Sequence, residues 1–537
     1  MRAIILLITL ALFLLPVLIL GESVEYTDIY GKKSMSEEEA STVLHKESVY
    51  NDNGMVIEER YVDANGNLTI PIGFDCAKIA YRYDEETGNI IEESYYDVDG
   101  KPMFPYDKAY ASIEYKYDVN GYCIEEAYCG EDGLPTIAFD KGYAKVTWVY
   151  DKNGYVAEET YYGTNGKPFI PMNIGFSKVK ENYDSNGYLL SEQYFDEKGK
   201  PMIPVKTGYS MVKWEYDDNG YYKSEHYFDT KGKPMEPSSY GYAGICWVND
   251  AQGNAIEESY FGKDGKPKGL PGYGYAKITW KRDENGYTTE EAYYDVNGKL
   301  MVLCGYGYAK VTWKYDDRGN TIEEAYYNDQ GHLFVSPSYS YARMTKVYDE
   351  KGNTTEIRYF DANDKPMAPP SDGYHKVVFK YNDKGYKIEE AYFGLAEEPI
   401  DYFGYGYHKV FYAYNDKGQV TAYAYFGLNG EPIILPDYGY HKVMYKYNDK
   451  GYIDEEAYFG VNDEPILLPS PTYGYHKIEY KHNDKGNVLE QAYFGIKGEP
   501  ISVPNQNYHR IVYDYDTAGK YLGVKYYDAS GNEVQIK

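Results

Sequence analysis

The chain has 537 residues, a formal net charge of −29, 43% hydrophobic residues, and 71 tyrosines against 18 phenylalanines and 5 tryptophans. That charge opposes nucleic acid and anionic lipid as partners, and the hydrophobic content excludes a disordered chain. Length alone suggests roughly three or four globular domains, but an internal repeat overrides that expectation.

Residues 1–21 read as a signal peptide or N-terminal membrane anchor. Arg2 precedes an apolar run from Ala3 to Leu20, interrupted by Thr9 and softened by Pro16. Gly21 suits cleavage and Ile19 does not, while a run this long is near the lower limit for spanning a bilayer, so both fates stay open. Arg2 holds the N-terminus inside and sends the chain out. The expected location is therefore extracytoplasmic, secreted or at the cell surface, with membrane contact only through residues 3–20.

Residues 22–46 read as a partial repeat and cap. The turn in Tyr26-Thr27-Asp28-Ile29-Tyr30-Gly31-Lys32 matches that of Tyr294-Asp295-Val296-Asn297-Gly298-Lys299. Ser36-Glu37-Glu38-Glu39 then has the spacing of a capping box for one short helix.

From residue 47 to 537 one text recurs. Its turn glycine stands at Gly54, Gly88, Gly121 and onward to Gly486 and Gly519: fifteen copies at a 33-residue spacing, with one interval of 34 and one of 35. A fixed period in this range is the mark of a repeat array. In the copy around Gly319, Ala309, Val311, Trp313 and Tyr315 alternate with Lys310, Thr312 and Lys314, as expected of a half-buried strand. Val146, Trp148, Trp214, Trp247 and Trp280 occupy the same columns, so this face is the expected core. The turn is Asp or Asn, two variable residues, then Gly, in which the side chain bonds the backbone and Gly takes positive φ. Such turns also resemble part of a calcium loop, but lack its further oxygen ligands and closing Glu.

The second strand follows, as in Ile322-Glu323-Glu324-Ala325-Tyr326-Tyr327. Tyrosine stands seven residues after the glycine in all fifteen copies. Neighbouring residues of a strand point to opposite faces. The Glu pair is thereby split, which opposes a catalytic dyad, and both carboxylates are expected in solvent or paired with lysine. A second turn, as in Asp196-Glu197-Lys198-Gly199-Lys200-Pro201, leads to a short apolar piece (Phe169-Ile170-Pro171) with the makings of a brief third strand, then to a Gly-Tyr linker.

From Tyr374 onward a column that held alanine holds His375, His408, His441, His476 and His509. Two strands per repeat would space these by ~10 Å, too far for neighbours to share an ion. Cys76, Cys123, Cys129, Cys246 and Cys304 fall in unrelated columns and read as small apolar fillers rather than a disulfide framework.

Turns such as Tyr348-Asp349-Glu350-Lys351-Gly352-Asn353 resemble the YD repeats of Rhs-type bacterial surface proteins, and also the hairpins of MORN-variant repeats. The resemblance runs from about Tyr50 to Lys537, though both families have shorter repeats. It implies an exported bacterial protein of stacked β-hairpins. Rhs-type chains also carry a toxin domain; the last repeat here runs to Lys537, so none is expected.

The expected fold is all-β: tandem 33-residue β-hairpins forming an elongated antiparallel array or β-solenoid-like ribbon. The expected function is a non-catalytic scaffold or adhesin, since nothing resembles a nucleophile elbow, metal motif or phosphate loop, and no cofactor is expected. The alternative is a glycan-binding array in which exposed tyrosines stack on sugar rings and gain avidity by repetition. Its candidates are Tyr128, Tyr161, Tyr162, Tyr293, Tyr294, Tyr326, Tyr327, Tyr392 and Tyr458. The expected partner is a polysaccharide or another surface protein.

Overall fold

The structure, a computed structural model, describes residues 22–106, 108–469, 474–504, 506–516 and 518–535. The expected signal or anchor lies outside the described residues. Among those described, no helix is long and apolar enough to cross a membrane.

The protein is all-β. Among the described residues, thirty-three antiparallel strands belong to one open sheet, not a closed barrel. Among the described residues, helix is confined to the α-helical turn Glu37–Ala40 and a 3-10 turn, Tyr402–Gly404. Ser36 caps the first through the expected box: the Glu39 amide donates to Ser36 Oγ at 3.2 Å, and the Ser36 amide to Glu39 Oε2 at 2.9 Å. The strand Ser23–Thr27 pairs with His45–Tyr50, so the first complete hairpin has a neighbour on its outer side.

Each repeat is a hairpin of a six- and a seven-residue strand, such as Lys310–Tyr315 and Thr321–Tyr327. Register runs from Lys310↔Tyr327 to Lys314↔Glu323, then jumps to Tyr315↔Thr321. Ile322 is therefore unpaired, a β-bulge that increases local twist. The turn is built as the sequence predicts. In Asp118–Gly121 the Asp118 carboxylate accepts the Asn120 and Tyr122 amides at 2.9 and 3.0 Å, and Gly121 has φ 86°. The apolar piece after the second turn forms a single bridge, Tyr162↔Pro168, rather than a third strand, and the bridge stays single where leucine replaces the proline, as in Tyr327↔Leu333.

Successive hairpins share only three ladder pairs, such as Glu290↔Thr312, Glu291↔Val311 and Ala292↔Lys310. The residue just before the strand completes the joint. Ala309 N donates to Tyr327 O of its own hairpin, and its carbonyl accepts the Tyr293 amide of the preceding one. This joining column is the one that changes from alanine to histidine.

Two compact units are distinguished: Met1–Asn254 with Tyr260–Lys266, and Ala255–Ser259 with Pro267–Lys537. In the first, Val146 is fully buried and Trp148 packs partly buried against a cluster that includes Tyr128, Tyr143 and Tyr161. In the second, Val311 is buried, and Trp280 and Trp313 pack on Tyr293, Tyr308 and Tyr326. Trp214 and Trp247 are likewise half-buried. The valines, not the tryptophans, form the floor of the core, because the apolar piece and linker of each repeat fold over that face and leave the indoles at its margin. All five cysteines are free.

Candidate functional site

The most elaborate chemistry lies on the buried face of the sheet. Residues two apart on a strand share a face, so Glu324 and Tyr326 face the core together, and Trp313 is the cross-strand partner of Glu324. The Trp313 indole donates to Glu324 Oε2 at 3.2 Å. Tyr326 donates to Glu324 Oε1, and the linker residue Tyr341 donates to the same oxygen at 3.0 Å. Three neutral donors thus surround one carboxylate, satisfying a group that would otherwise be costly to bury. The arrangement recurs. Tyr95, Tyr128, Tyr227, Tyr293 and Tyr458 donate to Glu93, Glu126, Glu225, Glu291 and Glu456, and Tyr392 donates to Glu390 at 2.6 Å. Burial, then the bond to the carboxylate, holds the Tyr326 and Tyr458 phenols far above their ordinary value. Burial also raises the carboxyls of Glu126, Glu159 and Glu192.

This corrects the expectation for the glutamate pair. One member of each pair is paired with lysine or arginine on the open face: Glu323 lies 2.8 Å from Lys314 and 3.2 Å from Arg343 of the next repeat. The other is half-buried on the core face among aromatic donors, and Glu59 and Glu390 there also pair with Lys46 and Lys387. The Glu-x-Tyr spacing carried that signal, since period two places both on one face.

Tyr128, Tyr161, Tyr293, Tyr326, Tyr392 and Tyr458 are buried, Tyr128 completely. Their ring faces are covered by linker tyrosines: Tyr110 and Tyr143 flank Tyr128 at 4.8 and 6.0 Å between centroids, and Tyr308 and Tyr341 flank Tyr326 at 5.0 and 5.6 Å. Rings placed so present no face for a sugar to stack on. Tyr162, Tyr294 and Tyr327 lie half-buried on the open face, with the Lys145, Lys277 and Lys310 ammoniums 4.7, 4.9 and 4.2 Å from their centroids.

Tyr315, expected in the core, is half-buried and latches one repeat to the last. Its hydroxyl donates to the Thr288 carbonyl at 2.7 Å. That carbonyl lies beyond the three-pair ladder and would be an orphan acceptor. The same bond joins Tyr150 to Cys123 O at 2.8 Å and Tyr447 to Val420 O at 2.7 Å. In two repeats another donor replaces the tyrosine, with Arg282 on Ala255 O at 2.7 Å and Asn249 on Tyr222 O at 2.8 Å; His482, in the same position, makes no such bond through Nδ1.

The histidines are buried. His375 Nδ1 lies 2.7 Å from Tyr359 O and His408 Nδ1 2.6 Å from Tyr392 O; a carbonyl only accepts, so Nδ1 carries the hydrogen. Each ring stands edge-on to a phenylalanine of the preceding repeat, as His375 does to Phe360 at 5.4 Å. Among the described residues no group of three or more His, Cys, Asp or Glu is placed to hold a metal ion.

Aromatic rings that reach solvent include a set in the linkers. Tyr240, Tyr273, Tyr306, Tyr339 and Tyr438 are 39–50% exposed and recur in the same part of the repeat.

No protein-family model matches the chain, and none of the curated proteins matches it. Among solved structures, a crystal structure of TcdB2-TccC3-TEV is similar over 91% of this chain and 24% of its own, at 12% identity and a TM-score of 0.26. A crystal structure of TcdB2-TccC3 is similar over 93% of this chain and 25% of its own, at 13% identity and a TM-score of 0.27. The chain spans about a quarter of the length of those chains.

Proposed function

We propose that the chain is an extracytoplasmic scaffold or adhesin that performs no catalysis of its own. The observation that supports this reading is where the recurring polar groups go. The tyrosine latch from Tyr315 to Thr288, the bond from the linker Tyr341 to Glu324 and the ion pair from Arg343 to Glu323 each join one repeat to the next. Each repeat thereby extends its neighbour instead of furnishing a cleft. Surface display with an epitope at the C-terminus tests location and role together. The reading expects external protease to remove the epitope from intact cells, and the displayed chain to increase adherence to a surface or to other cells. An epitope reached only after lysis would refute the location, and unchanged adherence would refute the adhesin role.

A second reading, a glycan-binding array, draws support from the linker rings rather than from the rings first singled out. Tyr273, Tyr306 and Tyr339 recur once per repeat with one face toward solvent, the arrangement in which weak stacking gains from repetition. Retention on a panel of insoluble polysaccharides, lost when these three become alanine, would favour it.

A further inference from the structure

The core rings of the second unit form a continuous series. From Tyr275 to Tyr526, second-strand and linker tyrosines alternate, with neighbouring centroids 4.9–6.2 Å apart. No other ring type interrupts it. Carboxylates accept from the phenols along the series: Glu291 from Tyr293, Glu324 from Tyr326 and Tyr341, Asp372 from Tyr359 at 3.5 Å, Glu390 from Tyr392, Glu456 from Tyr458. Packing alone needs neither the hydroxyls nor the half-buried charges, since phenylalanine fills the same space without a carboxylate to satisfy.

We propose that this tyrosine spine is a relay for one-electron oxidising equivalents, in which the half-buried carboxylates beside it take the protons that the phenols release with their electrons. A one-electron oxidant, such as a photo-oxidised metal complex or a peroxidase-type ferryl haem, removes an electron from Tyr326 while its proton crosses the existing O–H···O bond to Glu324. The products are a neutral tyrosyl radical, a neutral carboxylic acid and the oxidant reduced by one electron. An electron from Tyr341 then fills the radical, the proton returns from Glu324 to Tyr326, and Tyr341 passes its own proton to the same Glu324 carboxylate. The phenols stay protonated until oxidised, because burial and the adjacent carboxylates raise them. Exposed rings give the relay outlets: Tyr339 stacks on Tyr326 at 4.8 Å and 6°, Tyr405 meets Tyr407 at 6.3 Å, and Tyr438 meets Tyr440 at 6.2 Å. The first unit contains a natural break. Phe176, with no proton to give, stands between Tyr161 and Tyr194 at 5.9 and 4.7 Å.

The test uses the full chain with a ruthenium polypyridyl photo-oxidant attached to Cys304, an exposed cysteine two residues from Tyr306. After flash–quench oxidation in the presence of a nitroxide trap, peptide mass spectrometry locates the adducts. The relay expects adducts at Tyr339, Tyr405 and Tyr438, well above those produced by the same complex unattached. Tyr341→Phe is expected to cut adducts at Tyr405 and Tyr438 several-fold and leave Tyr306 unchanged. Tyr374→Phe repeats that test should the first variant lose its fold. Glu324→Gln is expected to lower the distant yield and to weaken its dependence on heavy water, which a purely structural role would not do. Adducts confined to Tyr306 and Tyr308, or distant adducts indifferent to both phenylalanine variants, would overturn the proposal.

Discussion

Repeats before and after Tyr374 build the same hairpin with different residues, and two of the differences are reciprocal. The joining column is alanine or serine in the earlier repeats, where Ala309 and Ser177 are completely buried, and histidine in the later ones. The second turn changes as well. In Asp196–Lys200 the first residue is the acceptor: Asp196 Oδ1 receives the Lys198 and Lys200 amides at 2.9 and 2.8 Å. In Gly460–Glu464 the acceptor comes from the fifth residue, and the Asn462 amide donates to Glu464 Oε2 at 2.8 Å. The first residue must then be small, because a Cβ on Gly460 would lie 2.2 Å from Glu464 Oε1. The same pairing recurs at Gly394/Glu398, Gly427/Glu431 and Gly495/Glu499. The backbone therefore demands an acceptor at this turn but not its position in the chain, and each choice constrains a second residue.

Exchanging the joining residues should give the largest effect. His375→Ala removes the donor to the Tyr359 carbonyl and opens a cavity beside Phe360, at a cost of about 2–4 kcal/mol. Ala309→His forces an imidazole into a filled site in a repeat that follows Tyr294 rather than phenylalanine, at a cost of about 1–3 kcal/mol. An array need not unfold as one unit, so amide hydrogen exchange in the adjoining strands is the measurement. Unchanged protection around His375→Ala would reduce the column to filler.

The two glutamate columns should separate next. Glu324→Gln replaces a carboxylate ringed by three donors with an amide that brings donors of its own, costing about 1–3 kcal/mol. Glu323→Gln removes ion pairs on the open face and should cost no more than about 1 kcal/mol. Gln491 occupies the buried column naturally. There the polarity is partly reversed: its amide donates to the Tyr493 hydroxyl at 2.7 Å while its oxygen accepts from Tyr513 at 3.2 Å. Equal losses from both substitutions would mean that the buried carboxylate has no special role in stability.

Acid should move the two regions in opposite directions. Burial lowers the His375 and His408 imidazoles below their ordinary 6.5. The unfolded chain then binds protons first as the pH falls, and the histidine repeats lose stability from about pH 6.5 downward until the folded-state value is passed. In the first unit, burial raises Glu126, Glu159 and Glu192 above their ordinary 4.5. Those groups bind protons first in the folded state, so their contribution grows as pH falls toward 4.5. Lys-paired carboxylates such as Glu125, which are lowered, oppose this only below that range. Hydrogen exchange at about pH 7 and pH 5, corrected for intrinsic rates, should show weaker protection around His375 and His408 and none lost around Tyr128. A parallel loss in both regions would contradict the signs.

The periodic features were legible because fifteen copies repeat them: the strand alternation, the turn glycine and the tyrosine column each announce one local rule. Tyr315 was assigned to the right face but the wrong task, since its latch depends on the bulge at Ile322, and a bulge leaves no mark in a strand pattern. The tyrosines offered for sugar binding were judged by their strand alone. Six of them are buried, as Tyr326 is by Tyr308 and Tyr341, which arrive from linkers whose path over the sheet is tertiary. Glu324 was readable and missed: its distance from Tyr326 already placed it with the aromatic rings.

The smallest effect tests the turn rule most directly. Gly460 does not have positive φ, so alanine there strains no backbone; it displaces the Glu464 carboxylate and leaves the Asn462 amide to water. The cost should be about 0.5–1 kcal/mol, that of one exposed hydrogen bond. Gly460→Asp alone should cost more, because two carboxylates then compete for one site. Gly460→Asp with Glu464→Lys rebuilds the pattern of Asp196–Lys200 and should recover most of the loss. A double-mutant cycle read by amide exchange at Asn462 isolates the coupling. If the paired change is no better than the sum of its parts, the two turns are not alternative solutions to one backbone demand, and the shared change of glycine and glutamate needs another cause.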